Sequence, residues 1–468
     1  MRKILVANRG EIACRILRTC KRLGIATVAV YSDADASALH VQQADEAVRI
    51  GPPPVKDSYL QIETIVEVAK KTGAEGVHPG YGLLSERRAF AEAVAAAGLT
   101  FIGPPPAALD AFGDKLKARA VARSVGVEPP PGSEGPISSA DPAALAAEAA
   151  RVGYPVLLKT AGGGGGIGLQ IVQRPEDLER AARSSSDRGK SAFGDDRVYL
   201  ERYVTTPRHI EVQVFCDNHG GALALGEREC SVQRRHQKIV EEALSPASFF
   251  QGPNGAARRQ RLYESALRIV TAVGYRGAGT VEFIADGEGN LWFLEVNARL
   301  QVEHPVTEMV TGLDLVEWQI LVAQGEKLPT SAPTPRGHSI EVRLYAEDPA
   351  KKFAPQPGKL HRLRWPASAP DLRIETGFAE GGEITPYYDP LIAKLVAYGD
   401  DRPTAIARLD QALASTDLEL IGPRGPASTN LAYLRQVLAD SRFASGQYDT
   451  SLAEALAAAK LQPNDHDR

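Results

Sequence analysis

From Glu295 to Glu303 polar and apolar residues alternate without a break. In an extended backbone successive side chains point to opposite faces. Glu295, Asn297, Arg299, Gln301 and Glu303 therefore share one face, and Val296, Ala298, Leu300 and Val302 share the other. The polar face reads carboxylate, amide, guanidinium, amide, carboxylate, and His304-Pro305 follows it. That order suits a cation followed by a small oxyanion. A straight segment would hold its end carboxylates about 26 Å apart, at ~3.3 Å per residue, in different subsites. A bend after Asn297 would bring those subsites together.

A second carboxylate supports a metal. Residues 281–284 and 291–295 read as two strands around Asp286-Gly287-Glu288-Gly289-Asn290. If residues 287–290 form a four-residue loop, Glu282 falls directly opposite Glu295, where like charges repel. A divalent cation between them removes that penalty. Mg²⁺ is expected, because it takes oxygen ligands and is held by one or two carboxylates plus substrate phosphates. The alternative is an edge hairpin with both carboxylates in water. The adjoining Asn-Arg-Gln-Glu row favours the metal.

At 468 residues the chain exceeds one compact unit,. Its net charge of −4 gives no case for nucleic acid or a membrane surface,. Cys14, Cys20, Cys216 and Cys230 form no CxxC pair and fit the reduced thiols of a cytoplasmic protein,. No apolar run is long enough to span a membrane. The N-terminal Met1-Arg2-Lys3-Ile4-Leu5-Val6-Ala7-Asn8-Arg9 turns polar too soon for a signal peptide, and reads as a buried strand entering a helix,.

Strands at 4–7, 26–31 and 100–102, with helices at 11–23, 59–71 and 88–97, give the βαβ rhythm of a parallel sheet covered by helices,. Asn8-Arg9-Gly10-Glu11 is no G-x-G-x-x-G fingerprint. A smaller lobe follows, in which Asp141, Pro142 and Gly153 punctuate one helix and Pro175-Glu176-Asp177 opens another,. Between them, strand-like flanks enclose five glycines at 162–166. A Walker loop would end in Gly-Lys-Ser/Thr and open a helix. This run is instead a glycine hairpin whose N–H groups can approach phosphates. Lys159 ahead of it favours a mobile phosphate flap over a surface hairpin. Further on, strands at 209–216 and 222–226 lead to the basic Gln233-Arg234-Arg235-His236-Gln237-Lys238, read as anion-binding. Residues 339–347 form another alternating strand carrying Arg343, and 404–414 and 429–440 read as helices.

These motifs, in this order and nearly end to end, make the chain resemble biotin carboxylase, an ATP-grasp enzyme. The resemblance is carried by Ala7-Asn8-Arg9-Gly10-Glu11-Ile12-Ala13, His78-Pro79-Gly80-Tyr81-Gly82, Gly113-Asp114-Lys115, residues 159–166, 229–238 and 295–305. It implies an α/β, three-lobed ATP-grasp fold. Residues 1–113 would be a doubly wound parallel-sheet domain, 114–128 a helical linker and 129–203 a mobile ATP lid. Residues 204–330 would be the ATP-grasp core, 331–460 a C-terminal α+β domain and 461–468 a polar tail.

The same resemblance implies the site. Lys115 and Lys159 should contact ATP phosphates, with Gly165 and Gly166 closing over them. Glu201, Arg202, Tyr203, Val204, His209, Gln233, His236, Ile284 and Leu294 should surround adenine and ribose, and Tyr81 joins this cofactor-binding set. Glu282, Glu295 and Asn297 should hold Mg²⁺ or Mn²⁺, two ions in all. Arg299, Gln301 and the Val302 backbone should bind bicarbonate, Glu303 should deprotonate it, and Lys238 should lie beside it and the γ-phosphate. Arg343, with Arg299, should stabilise the enolate of biotin.

Four positions depart from the family pattern: Ile167 for Arg or Lys after the glycines, Leu83 for Phe, Leu244 for Pro, and Arg22 for an acidic dimer-interface residue. The last weighs against the homodimer that the family adds. The only methionines, Met1 and Met309, lie in no Ala-Met-Lys-Met motif. Biotin is therefore expected on a separate biotin carboxyl carrier protein, with a carboxyltransferase subunit passing the carboxylate to an acyl-CoA. Two rivals are an ATP-grasp ligase of the carbamoyl-phosphate or purine type and a silent nucleotide-binding subunit. The Arg299, Gln301, Glu303 row with Arg343 counts against the first; the intact Glu282, Glu295, Arg299, Glu303 set counts against the second, for which Ile167 alone speaks.

Overall fold

The computed structural model describes residues 1–139, 141–161, 168–234 and 237–459. The first sheet is built from β1 (Lys3–Val6), β2 (Ala26–Ser32), β3 (Glu46–Gly51), β4 (Gly76–His78) and β5 (Thr100–Phe101). Its order is β3-β2-β1-β4-β5 and all pairings are parallel. This is the doubly wound arrangement expected from the βαβ rhythm. The strand order reverses between β1 and β4, and sites in such sheets form beyond the strand ends at that crevice. There Asn8 donates from Nδ2 to the carbonyls of Pro79 and Tyr81, at 2.7 and 2.8 Å. The helix Gly10–Arg22 begins at the same place and buries Ile12, Ile16 and Cys20, spaced four apart, on one face,.

The small lobe has three antiparallel strands, β6 (Val156–Thr160), β7 (Gln170–Val172) and β8 (Val198–Arg202), in the order β7-β6-β8. Its helix Pro142–Val152 starts as the sequence demands: the Asp141 carboxylate accepts from Ala144 N at 3.0 Å,. Leu145, Ala149, Val156, Leu158, Ala182 and Leu200 form its own core. The glycines at 162–166 and Ile167 lie outside the described residues, as do His236 and the expected polar tail at 461–468.

The largest sheet has eight strands: β9 (Arg208–Cys216), β10 (Ala222–Arg234), β11 (Gln237–Ala243), β12 (Gly277–Ala285), β13 (Leu291–Asn297), β14 (His338–Tyr345), β15 (Leu372–Thr376) and β16 (Leu391–Gly399). Its order is β13-β12-β9-β10-β11-β14-β16-β15, antiparallel throughout. The expected core and C-terminal segments thus share one continuous hydrogen-bonded sheet, joined where Glu241 pairs with Glu341.

All four cysteines are free and buried. Burial pushes the Cys14, Cys20 and Cys216 thiols up to about 12. Among the described residues no helix is long and apolar enough to cross a membrane. Arg22 is turned to its own chain, 2.7 Å from both Asp314 and Glu317. Leu83 adopts a left-handed backbone, φ +45°.

Candidate active site

Glu282 and Glu295 face each other across β12 and β13, as the hairpin reading requires, but by a different route. Ala285 pairs with Leu291, so the loop is five residues, Asp286 to Asn290, rather than four. That register alone would misalign the two carboxylates. A bulge between the Glu282 and Phe283 pairings absorbs one extra residue, Leu294, and restores the alignment,. The Asp286 carboxylate stabilises the loop by accepting from Glu288 N and Asn290 N at 3.0 and 2.9 Å.

The straight-strand reading of residues 295–303 does not hold. β13 stops at Asn297, the chain bends, and the helix His304–Thr311 begins immediately after Glu303. Glu86 fixes the bend by accepting from Ala298 N at 2.9 Å and from Arg299 Nε at 3.0 Å. The Arg299 guanidinium also donates to Gln301 Oε1 at 2.8 Å and Asn297 Oδ1 at 2.9 Å. Asn297 and Gln301 in turn donate to Glu282 Oε1, at 2.9 and 3.3 Å. The metal-type and oxyanion-type residues are thereby folded into one cluster.

Lys238 lies at its centre. Its ammonium is 2.5 Å from Glu211, 2.9 Å from Glu282 and 2.8 Å from Glu303. Burial opposes that charge, but the three carboxylates more than offset it and hold the lysine well above its ordinary pKa. Glu303 is fully buried, with Arg343 Nη2 at 2.9 Å on its second oxygen. Burial pushes its pKa up, yet Lys238, Arg343 and Arg228 together pull it well below the carboxylate range. For His209, 2.9 Å from Glu282, burial lowers the pKa, and Glu282 reverses the sign to a net rise. Arg343 also touches Glu241 at 2.5 Å, and burial leaves that carboxyl raised to about 7.

A cavity of about 950 Å³ opens over this cluster. It is lined by Lys115, Lys159, Glu201, Arg202, Tyr203, Val204, His209, Gln233, Lys238, Glu282, Ile284, Leu294, Glu295, Asn297, Arg299, Gln301, Val302 and Arg343. Two site residues stand off the cavity wall. Glu303 lies behind Lys238, and the Tyr81 hydroxyl donates to Glu11. Gly165, Gly166 and His236 fall outside the described residues. Lys159 pairs with Glu201 at 2.5 Å, and Lys115 with Glu295 at 3.5 Å.

The donor set fits a hard divalent cation. Glu282, Glu295 and Asn297 line one cavity, with the two glutamates paired across β12 and β13, and two carboxylates plus phosphate oxygens suit Mg²⁺,. Glu282 is engaged by Lys238, His209, Asn297 and Gln301, and the Asn297 oxygen by Arg299, so a cation here would compete with these partners. Sequence reasoning missed Glu211, Glu86, Arg228 and Lys394. Glu211 had a signal, because it alternates with His209 and Gln213 on β9. Its other oxygen accepts from Arg228 at 2.5 Å.

Comparison with known proteins gives one consistent result. Residues 1–109 match the biotin carboxylase N-terminal domain, and residues 341–455 the biotin carboxylase C-terminal domain. Residues 114–331 match the ATP-binding domain of the carbamoyl-phosphate synthase L chain. The chain is 48% identical to a biotin carboxylase of Halalkalibacterium halodurans, over 96% of each. It is also 48% identical to the propionyl-CoA carboxylase alpha chain of Ruegeria pomeroyi, covering 96% of this chain and 67% of that one. The biotin carboxylase domain dimer of Hydrogenobacter thermophilus 2-oxoglutarate carboxylase, solved with MgADP, ADP and bicarbonate, superposes with a TM-score of 0.91. The two are 43% identical, over 97% of both chains.

Proposed function

The chain belongs to the biotin carboxylase family, and on that premise we propose how its residues use ATP and bicarbonate to carboxylate biotin. Lys115 and Lys159 bind the nucleotide phosphates, and 201–204, His209, Gln233, Ile284 and Leu294 enclose adenine and ribose. Glu282, Glu295 and Asn297 would hold Mg²⁺ or Mn²⁺, which neutralises phosphate charge during transfer. Arg299, Gln301 and the Val302 backbone hold bicarbonate. Glu303 takes its proton, and the freed oxygen attacks the γ-phosphorus while the bond to the ADP oxygen breaks. The resulting carboxyphosphate splits into CO₂ and phosphate, and phosphate accepts the ureido proton of biotin. Arg343, with Arg299, stabilises the enolate oxygen as the ring nitrogen attacks CO₂.

One observation supports this reading above others: Glu303 lies between Lys238 and Arg343, at the end of the loop that carries Arg299 and Gln301. A base, the Lys238 ammonium and an enolate-stabilising cation thus adjoin the proposed bicarbonate grip. Glu303 becomes a stronger base when Lys238 turns from it toward an arriving γ-phosphate.

Biotin arrives on a biotin carrier, and a carboxyltransferase completes the reaction in the cytoplasm. The chain spans about two thirds of the propionyl-CoA carboxylase alpha chain. That relative and a methylcrotonoyl-CoA carboxylase subunit at 49% identity support an acyl-CoA as the final acceptor. A homodimer is the proposed assembly, as in the Hydrogenobacter structure.

Phosphate release from MgATP, measured with and without bicarbonate and free biotin, tests the reading. Bicarbonate-dependent turnover raised by biotin supports it. Turnover requiring ammonia instead identifies an amine ligase of the carbamoyl-phosphate type, and no turnover identifies a silent subunit.

A further inference from the structure

Beside Arg343 stands a lysine that no motif marks. Arg343 and Lys394 are cross-strand partners on β14 and β16, so both side chains leave the same face of the sheet,. Arg343 holds the Glu303 carboxylate at 2.9 Å, and Lys394 Nζ donates to the Val302 carbonyl at 2.6 Å. Two neighbouring cations therefore grip consecutive residues of one loop, the first by its side chain and the second by its backbone.

Lys394 is wholly buried, and its carboxylate partner is Glu11 Oε1 at 3.2 Å. Glu11 lies in the first turn of the helix Gly10–Arg22, and the same oxygen accepts the Tyr81 hydroxyl. Tyr81, Glu11, Lys394 and the Val302 carbonyl thus form one line of contacts from the crevice of the parallel sheet to the proposed bicarbonate subsite. Burying an ammonium costs desolvation that an apolar side chain of similar size would avoid. Packing alone therefore does not account for a lysine here.

The loop explains the need. Residues 298–303 lie between the end of β13 and the start of the next helix, outside either regular hydrogen-bond ladder. Tethers from elsewhere set the orientation of its peptides: Glu86 on Ala298 N, His304 Nδ1 2.7 Å from the Gln301 carbonyl, and Lys394 on the Val302 carbonyl. Reacting groups need alignment within a fraction of an ångström, and small displacements cost large rate factors.

We infer that Glu11 and Lys394 are positioning residues for the bicarbonate loop: the buried pair fixes the Val302 peptide, and with it the grip on the carbonate. This rests on assigning 299–303 to bicarbonate. Neither residue touches the reacting atoms.

The test is steady-state kinetics on the full chain, with ATP and bicarbonate varied separately. Lys394→Met should raise the bicarbonate KM about tenfold, as expected for loss of one charge-assisted hydrogen bond, while the ATP KM stays within about twofold. Lys394→Arg, which keeps a donor, should recover part of the loss. Glu11→Gln should shift the bicarbonate KM in the same direction by less. A bicarbonate KM unchanged in Lys394→Met overturns the inference, and so does an equal rise in both KM values, which marks a general structural role. If Lys394→Met fails to fold, an unchanged bicarbonate KM in both Lys394→Arg and Glu11→Gln overturns it. A wild-type chain with no bicarbonate-dependent turnover overturns the functional reading itself, and this inference with it.

Discussion

Lys238 Nζ lies 2.8 Å from Glu303 Oε1, so the proposed base rests against the cation that must leave it. Removing the charge of Glu303 should abolish proton removal without disturbing the cavity wall proposed to hold the nucleotide. Glu303→Gln is expected to lower turnover by roughly 10²–10⁴-fold, the range for a lost general base. Nucleotide affinity, read by equilibrium titration, should stay near the wild-type value. Loss of nucleotide binding would place Glu303 in the wrong subsite.

Lys238→Gln leaves Glu211, Glu282 and Glu303 without their shared ammonium. Breaking a buried ion cluster by removing one partner costs about 3–5 kcal/mol. The variant should melt earlier than wild type. Mg²⁺ should restore more of the loss than it adds to wild type, because the cation replaces the missing charge beside Glu282. Equal Mg²⁺ responses in a thermal shift assay would separate Glu282 from the metal subsite.

Glu86 arrives at the site from 213 positions away in sequence and holds Arg299 from behind. Glu86→Ala removes both of its hydrogen bonds to the loop, from Ala298 N and from Arg299 Nε, and should raise the bicarbonate KM about tenfold or more while leaving the ATP KM unchanged,. Initial-rate measurements with each substrate varied in turn decide this.

What the sequence made legible and what it hid follow from this geometry. The alternation in 295–303 correctly grouped Asn297, Arg299, Gln301 and Glu303, because polar residues spaced two apart turn inward together in a strand and, here, around a bend as well. The Glu282–Glu295 pairing was right for an incomplete reason. A loop one residue longer and a bulge at Leu294 cancel, and neither leaves a mark that spacing can resolve. Glu86 and Lys394 were invisible because they lie in distant parts of the chain and reach the site only through the tertiary fold, and Glu11 was marked by its motif but not by its partner. Glu211 was overlooked because a carboxylate on a strand resembles an ordinary outward-facing residue until its neighbours are known.

Away from the site, Glu242 on β11 predicts the acid limb of stability. Burial pushes its carboxyl up, but Arg402 and His338, both at 2.6 Å, more than compensate and leave it at about 2, below the usual 4.5. A carboxylate depressed on folding contributes stability that is fully present above the unfolded value and lost as pH falls toward the folded one. The contribution of about 3 kcal/mol should therefore disappear between about pH 4.5 and pH 2,. Urea unfolding of Glu242→Gln across that window should show a shallower pH slope than wild type. An identical slope would assign the acid limb to other groups.

Transfer of oxygen from bicarbonate to phosphate tests the chemistry most directly. Bicarbonate uniformly labelled with heavy oxygen is supplied with MgATP and biotin, and the released phosphate is analysed by mass spectrometry. Attack by the Glu303-activated bicarbonate places one labelled oxygen in each phosphate formed. Phosphate carrying oxygen only from ATP and water would contradict it.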